Sequence, residues 1–525
     1  MSPGGRGSDV VVECDALLVG ASAGSMLAAL VLDDAGLRPI IVEKTSMIGG
    51  GTAYSGGVVW APANSRMLSK GIDDSVEDGL RYLSQIGGPS WDRSVAETYI
   101  SLLPRVLAYV EESTALRWVT YKNLPDYFAE LPGGRAAGRI LLPLAGDRSP
   151  ELSAELAAMP GAELVRLSLH SPGMEHEWQS GRVLIGALWA RIQQRGIPCE
   201  LETRAVELGR DNGQSFEVQA ETPRGRMTFH ARLGVLLNTG GFEWNADLMQ
   251  RHAVPPRPHA QTPPGNEGDG YVMAVALGAG EALMDRTIEI PSVAVQDPDN
   301  DGETLYRLFF QDLAKPHSIV VNRRGRRFAN ETFFPTLAES WHTASTDGVP
   351  DNLPCYFVFD SQFVTAYGMP AGVESALGFV SAPTWDALAL QLGLPEEELA
   401  ATVANFNRAV AGGSDEFRRG ATPYQRAFGD PDSEGNPTAG NLSQSPYFAV
   451  ELHPATSGHR GGVVVDPVGR VLDRAGDVIQ GLYACGNVAA GTVTGDSYIS
   501  GASIGHALVF GYTAAQDMVR TAEPA

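Results

Sequence analysis

Cysteine is scarce: Cys14, Cys199, Cys355 and Cys485 are the four in 525 residues, far apart and without a CxxC pair. That spacing argues against a disulfide framework, a zinc ribbon or a covalently attached c-type haem. It predicts reduced, buried thiols and a cytoplasmic protein. Positive charge is also short. Thirty-nine Lys and Arg face 62 Asp and Glu, a net charge of −23 at pH 7, which repels nucleic acid and anionic membranes. Long apolar runs are nearly absent. The uncharged stretch Ala16–Leu32 comes close to the length of a membrane span, but Gly20, Ser22, Gly24 and Ser25 interrupt it. Asp9, Glu13 and Asp15 precede it, where a signal peptide needs basic residues. It predicts a buried strand running into a helix, with no transmembrane or targeting segment. The ten histidines show no ligand spacing, so no metal is expected.

Glycine, by contrast, is abundant: 60 residues, about 11 % against the usual ~7 %. Such an excess serves tight turns and backbone brought close to a ligand. Residues 1–10 read as a loose tail. A strand (Ala16–Val19), a glycine turn, a helix (Ser25–Ala35) and a second strand (Pro39–Val42) follow. Both strands are short continuous apolar runs, as a covered parallel sheet requires. Residues 81–118 and 183–195 read as helical, 122–150 as a proline- and glycine-rich excursion, and 199–237 as three strands. Residues 272–447 differ in character, with strands near 318–328 and 355–359 and helices over 385–412. Glycine then thickens again from 458. The expected fold class is α/β: a Rossmann-like nucleotide-binding domain (1–275 and 448–525) split by an inserted α+β catalytic domain (276–447).

The loop Gly20-Ala21-Ser22-Ala23-Gly24 leaves a strand and opens a helix, where free amides and the helix dipole hold a pyrophosphate. Glu43 ends the next strand, 23 residues after Gly20, where a carboxylate accepts hydrogen bonds from a ribose. A dinucleotide loop of this kind wants glycine at 20, 22 and 25, and this chain has serine at 22 and 25. Three further elements follow in order. Glu43-Lys44 leads into Gly49-Gly50-Gly51-Thr52-Ala53 and Ser55-Gly56-Gly57, which resembles the loop lying along FAD in a large flavoprotein group. Thr239-Gly240-Gly241 stops a later strand. Gly481-Leu482-Tyr483-Ala484-Cys485-Gly486-Asn487 resembles the late GLYATGN element of those flavoproteins and precedes the helix start that holds Ser503 and Ile504.

On these motifs the chain resembles the fumarate reductase/3-ketosteroid dehydrogenase superfamily over nearly its whole length. VEKTSMIGGGTAYSGGVVWAPAN, PDYFAELPGG, PPGNEGDGYVMAVALGA, PHSIVVNRRGRRFANE and GASIGHALVFGYTAA resemble the steroid dehydrogenases within it. The resemblance implies non-covalently bound FAD between a cofactor domain and an inserted domain, a separate electron carrier, and desaturation beside a ketone in an apolar, polycyclic substrate. The alternatives are an ene-reductase on a non-dicarboxylate substrate and a catalytically silent flavin-binding protein.

A fumarate-type site needs cations for two carboxylates and an arginine acid. The family's arginine falls a few residues after Asn330-Glu331, where this chain reads Thr332-Phe333-Phe334-Pro335; its His-Thr-x-Gly-Gly element is Gly458-His459-Arg460-Gly461-Gly462. The dicarboxylate site is therefore expected to be missing, and two adjacent phenylalanines suit an apolar substrate better. The ketosteroid chemistry needs a tyrosine hydroxyl and a backbone N–H on the ketone oxygen. In the family the tyrosine lies four residues before the glycine. Here the glycine is Gly501, the four-back position is Ser497, and Tyr498 is three back, so either residue is a candidate. Tyr127 matches a second family tyrosine. A third, expected after Asn330-Glu331, is replaced by Phe333 and Phe334. His459 and Arg460 are open between substrate contacts and a hairpin flank, and His506 reads as structural. Cys485 reads as space-filling, and Arg323–Arg327 as a solvated turn.

Overall fold

The computed structural model describes residues 10–121, 124–144, 149–166, 178–211, 215–252, 259–296, 304–343 and 350–523. Nearly all of the expected tail 1–10 lies outside the described residues, as do 122–123 and 145–148 of the glycine-rich excursion. The apolar run of the first strand, Val10–Val19, is buried from Cys14 onward. It pairs in parallel with Pro39–Val42 on one side and with Gly225–Leu237 on the other. Cys199–Glu200 extends the first edge in parallel. Val478–Ala484 adds, again in parallel, beyond Gly225–Leu237. Residues more than two hundred positions apart thus share one sheet, and the two glycine-rich ends of the chain meet in it. The helices Ala23–Asp34 and Ala502–Ala522 cross so closely that a Cβ on Gly511 would stand 2.5 Å from the Gly24 carbonyl oxygen.

The middle of the chain forms a second, antiparallel sheet in the order Thr304–Leu308, Thr287–Gln296, Tyr447–His459, Cys355–Asp360, Ser318–Asn322. Residues 290–295 are buried without interruption, so the strand Thr287–Gln296 is covered on both faces, whereas Tyr447–His459 mixes buried and half-buried positions. Sheet membership therefore groups residues 448–459 with the middle of the chain, and the division expected at 447 falls at the first residue of a strand. The helical span expected at 81–118 is two helices, Val76–Ile86 and Arg93–Ser113, separated by Gly87-Gly88-Pro89, because proline and paired glycines break the ladder. Arg117–Thr120 is a strand and pairs with Ile140–Leu144 inside the expected excursion.

Two further expectations are corrected by burial. Arg324 and Arg326 are exposed and pair with Asp351 and Glu398, as a solvated turn allows. Arg327, in contrast, is buried between Glu331 at 2.9 Å and Asp415 at 2.5 Å, because a carboxylate pair there satisfies its charge. Cys14, Cys355 and Cys485 are buried, but Cys199 is only half-buried, at the sheet edge. Among the described residues no helix is long and apolar enough to cross a membrane, and no cluster of metal-ligating side chains occurs.

Candidate active site

One long cleft begins at the carboxyl ends of the parallel strands and runs to the face of the antiparallel sheet. Gly20 turns the chain at the first strand's end with φ +97°, and a Cβ there would stand 2.4 Å from the Asn238 carbonyl oxygen. Only glycine fits that combination of angle and contact. Serine at 22, which departs from the dinucleotide pattern, has a use: its Oγ donates to the Gly49 carbonyl at 3.2 Å and lies 3.0 Å from Thr52 Oγ1. Ser22 so ties the first glycine loop to the second. Since its hydroxyl is engaged there, Ser22 gives no side-chain cap to the helix Ala23–Asp34. The Ser25 amide donates to Asn238 Oδ1 at 3.1 Å instead. The amides of the preceding positions at this helix start remain available for an anion.

Glu43 holds the loop from the next strand. Its Oε2 accepts from the Ala21 amide at 3.0 Å, and its Oε1 accepts from the Thr45 amide at 3.0 Å and the Thr45 hydroxyl at 2.9 Å. A carboxylate has about four lone-pair sites, so it keeps room for a ribose hydroxyl. Lys44 lines the cleft but is paired with Glu267 at 3.0 Å and Asp269 at 2.8 Å. Arg166 reaches Thr45 Oγ1 at 2.6 Å. The second uncapped helix start is Ala502–Ala522, entered through Gly501 at φ +89°. There a Cβ would stand 2.7 Å from the Trp60 amide nitrogen. Two long helices thus aim bare N-termini at one cleft. A ligand with a pyrophosphate, a ribose and an extended polar body fits this wall, and those are the parts of FAD.

At the other end the wall changes to Ile288, Ile290, Leu308 and Phe310, with Tyr498, Ser500 and Gly501 beside them. Tyr498 is half-buried, and its partial removal from water raises its phenol above the usual range, opposed by a Ser500 hydrogen bond and the nearby Arg460 charge. It is a proton donor at neutral pH. Ser497 does not line the cleft; its Oγ donates to the Ile86 carbonyl at 2.7 Å. Tyr127 lies one layer behind, 2.7 Å from Ser500 Oγ, in T-shaped contact with Phe333 and Phe334. Those phenylalanines therefore pack on a tyrosine rather than on a ligand. Asp126, next in sequence, is buried and accepts from Trp60 Nε1 and Arg139 Nη1, both at 2.8 Å, which fixes the turn carrying Tyr127.

Arg460 and His459 lie beside the main cleft, in a smaller recess that shares Tyr498, Asn487 and Ser503 with it. Arg460 Nη1 donates to the Asp496 carbonyl at 2.8 Å, its Nη2 is buried and unpartnered among the described residues, and burial pushes its pKa down to about 10. His459 stacks on Phe242 at 3.7 Å between centroids, and burial pushes it down to about 3. That is a neutral core histidine. His506 is likewise held neutral, with Nδ1 accepting from the Gly486 amide at 3.2 Å.

Of the cofactor positions expected from sequence, Gly20, Ala21, Ser22, Glu43, Lys44, Gly50, Gly51, Thr52, Ser55, Gly56, Gly57, Thr239, Gly240, Gly486, Asn487, Ser503 and Ile504 line the cleft. Ala23, Gly24 and Ala53 stand behind its wall; Gly24 is where the chain passes Cys485, whose Sγ would lie 2.6 Å from an added Cβ. Cys485 fills the space that Gly24 leaves. Sequence reasoning missed Asn238, which binds the Ser25 amide and the Cys485 carbonyl, although it directly precedes Thr239-Gly240. It also missed Ser500, Gln261 and Arg166, single polar residues with no local pattern around them.

A model of the FAD binding domain matches residues 15–504. The chain is 33 % identical to a 3-oxosteroid 1-dehydrogenase of Mycobacterium tuberculosis, over 96 % of this chain and 98 % of that one. It is 30 % identical to a 4-oxocyclohexanecarboxylate 2-dehydrogenase of Sinomonas cyclohexanicum, over 95 % and 92 %. Among solved structures it resembles a 3-ketosteroid delta1-dehydrogenase of Sterolibacterium denitrificans in complex with 1,4-androstadiene-3,17-dione. The TM-score is 0.84 at 26 % identity, covering 97 % of this chain and all of that one.

Proposed function

The chain belongs to the FAD binding domain family, and from that premise we propose that it is an FAD-dependent dehydrogenase introducing a C=C bond beside the ketone of a 3-ketosteroid-like substrate. The observation that carries this reading is the wall of Ile288, Ile290, Leu308 and Phe310 beside two donors, Tyr498 and the Gly501 amide. FAD, held without a covalent bond, supplies the acceptor for the hydride that leaves the substrate's β-carbon. The chain's own residues do the rest. The free amides of the first helix start would hold the pyrophosphate, Gly20 would let the backbone come close to it, and Glu43 would take the ribose. The apolar wall receives the fused rings and excludes water from them. Tyr498 Oη and the Gly501 N–H donate to the ketone oxygen. Negative charge grows on that oxygen as the α-proton passes to a base, so donors aimed at it lower the barrier selectively. Partial burial keeps the Tyr498 proton in place for this task.

A second reading, a small cyclic keto acid, rests on Arg460, whose buried Nη2 lacks a partner in the recess beside Tyr498. Among the described residues the apolar end of the main cleft carries no cation, which favours the uncharged substrate. Anaerobic mixing separates the two. 4-Androstene-3,17-dione is expected to bleach the oxidised flavin spectrum, and 4-oxocyclohexanecarboxylate to leave it unchanged. Bleaching by the keto acid alone transfers the function to the second reading, and bleaching by neither rejects both. The electron acceptor is a separate carrier, since the sequence holds no haem motif and no cluster of cysteines.

A further inference from the structure

Behind the substrate end, four hydroxyl-bearing side chains gather. Tyr498 and Ser500 line the cleft in one turn. Ser500 Oγ is 2.7 Å from Tyr127 Oη. The Tyr127 ring lies 4.6 Å from that of Tyr424 and 6.1 Å from that of Tyr498, between centroids. Phe333, Phe334, Leu124 and Phe128 close around these rings. Two members of the group are pinned. Tyr424 sits on the short helix Pro423–Arg426, fixed by a capping box in which Gln425 Oε1 accepts from the Thr422 amide and Thr422 Oγ1 from the Gln425 amide, both at 3.4 Å; Gln425 Oε1 also accepts from the Ala421 amide at 2.8 Å. Tyr127 follows the buried Asp126, which Trp60 and Arg139 hold.

A hydroxyl owns a single hydrogen, so the group has a direction. If Tyr498 gives its hydrogen to the ketone, its oxygen can accept from Ser500. The Ser500 oxygen then accepts from Tyr127, and Tyr127 from Tyr424. The opposite direction turns a lone pair of Tyr498 to the cleft and leaves the ketone oxygen without that donor. Hydrogen bonds in series polarise one another, more so where water is excluded. We propose that Ser500 and Tyr424 are positioning residues, the third and first members of a hydroxyl chain Tyr424→Tyr127→Ser500→Tyr498 that aims the Tyr498 O–H at the substrate oxygen and strengthens it as the enolate forms. Tyr424 lies more than seventy positions from Tyr498 in sequence and touches no ligand itself. The inference rests on the ketone-activating role proposed for Tyr498.

The test uses the FAD-loaded protein and two readouts, the limiting rate of flavin reduction by 4-androstene-3,17-dione and the ionisation of bound 2-naphthol, whose phenolate imitates the enolate oxygen. Ser500→Ala is expected to slow reduction about 10-fold and Tyr424→Phe about 3-fold, the scale of one lost neutral hydrogen bond. Substrate dissociation constants should stay within about twofold of the parent, and both variants should bind less of the naphthol in its ionised form. Ser500→Thr, which keeps the hydroxyl, should restore the parent behaviour. The chain is overturned if both variants match the parent while Tyr498→Phe is slow, or if they weaken substrate binding without changing the limiting rate. Should Tyr498→Phe itself reduce at the parent rate, the proposed function fails with it. Tyr424→Phe preserves ring packing, so this arm holds even if Ser500→Ala folds poorly.

Discussion

Near Gly20 the cleft wall is mostly backbone: glycines, free amides and two helix starts without side-chain caps, joined by short polar residues such as Ser22 and Thr52. Near Phe310 the wall is side chains, contributed by strands at 288–290 and 304–308 and by the turn at 498–501. The first end binds through groups that every residue owns, so its specificity lies in where the chain can approach a ligand closely. The second binds through surface shape and a few hydroxyls, so its specificity lies in which side chains are brought together. A backbone-built end tolerates few substitutions but is common to many chemistries. A side-chain-built end is where one substrate is exchanged for another.

The sharpest way to break this contrast is at Gly20. Gly20→Val adds a Cβ beside the Asn238 carbonyl at an angle that L residues avoid. Strain of about 3 kcal/mol or more should leave the purified protein without flavin, read from its visible absorbance relative to that at 280 nm. Full flavin content would show that the loop is not the pyrophosphate site. At the other end the substitution is milder and the effect confined to chemistry. Tyr498→Phe should keep FAD and substrate binding but slow flavin reduction by roughly 10²–10³-fold, as when one oxyanion donor is lost. Ser497→Ala should react at the parent rate, because its hydroxyl is already committed to Ile86. If those two results exchange places, the roles of the two residues do too.

Glu43→Gln sharpens the comparison from the cofactor side. The amide cannot accept in both directions as the carboxylate does, and an unpaired Ala21 or Thr45 amide should weaken FAD by roughly 50-fold, measured by flavin fluorescence on titration. Turnover with saturating FAD should be little changed, since the substrate end is untouched.

The smallest effect is a pH dependence. Burial holds His459 and His506 down to about 3 from an ordinary 6.5. Between those values the unfolded chain binds protons that the folded chain refuses, so stability rises with pH across that window. The contribution is complete above pH 6.5 and is lost as the pH falls. At pH 5 each histidine should cost about 2 kcal/mol relative to neutral pH. Urea unfolding at pH 7 and pH 5 should show that loss, and His506→Asn, whose carbonyl can still accept from Gly486, should remove about half of it. An unchanged slope in the variant would mean that His506 is not held neutral.

By itself the sequence pointed to most of the residues that line the glycine-rich end of the cleft. Glycine at 20, an acid at 43, a glycine cluster after it and a late Gly486-Asn487 turn are local signals, because close backbone approach and a helix start are decided by a few consecutive residues. The parallel strands were legible for the same reason, as short apolar runs. Even the serines at 22 and 25, which looked like defects in the pattern, fall within reach of it once Gly49 and Asn238 are seen beside them. What tertiary structure alone decided was that Tyr498 and not Ser497 lines the cleft, the retreat of Phe333 and Phe334 behind Tyr127, and the placing of Tyr424 next to it. Those outcomes depend on side-chain direction and on contacts between residues hundreds of positions apart. One residue's difference in a turn reverses which hydroxyl faces the cleft, and no count along the chain records that direction.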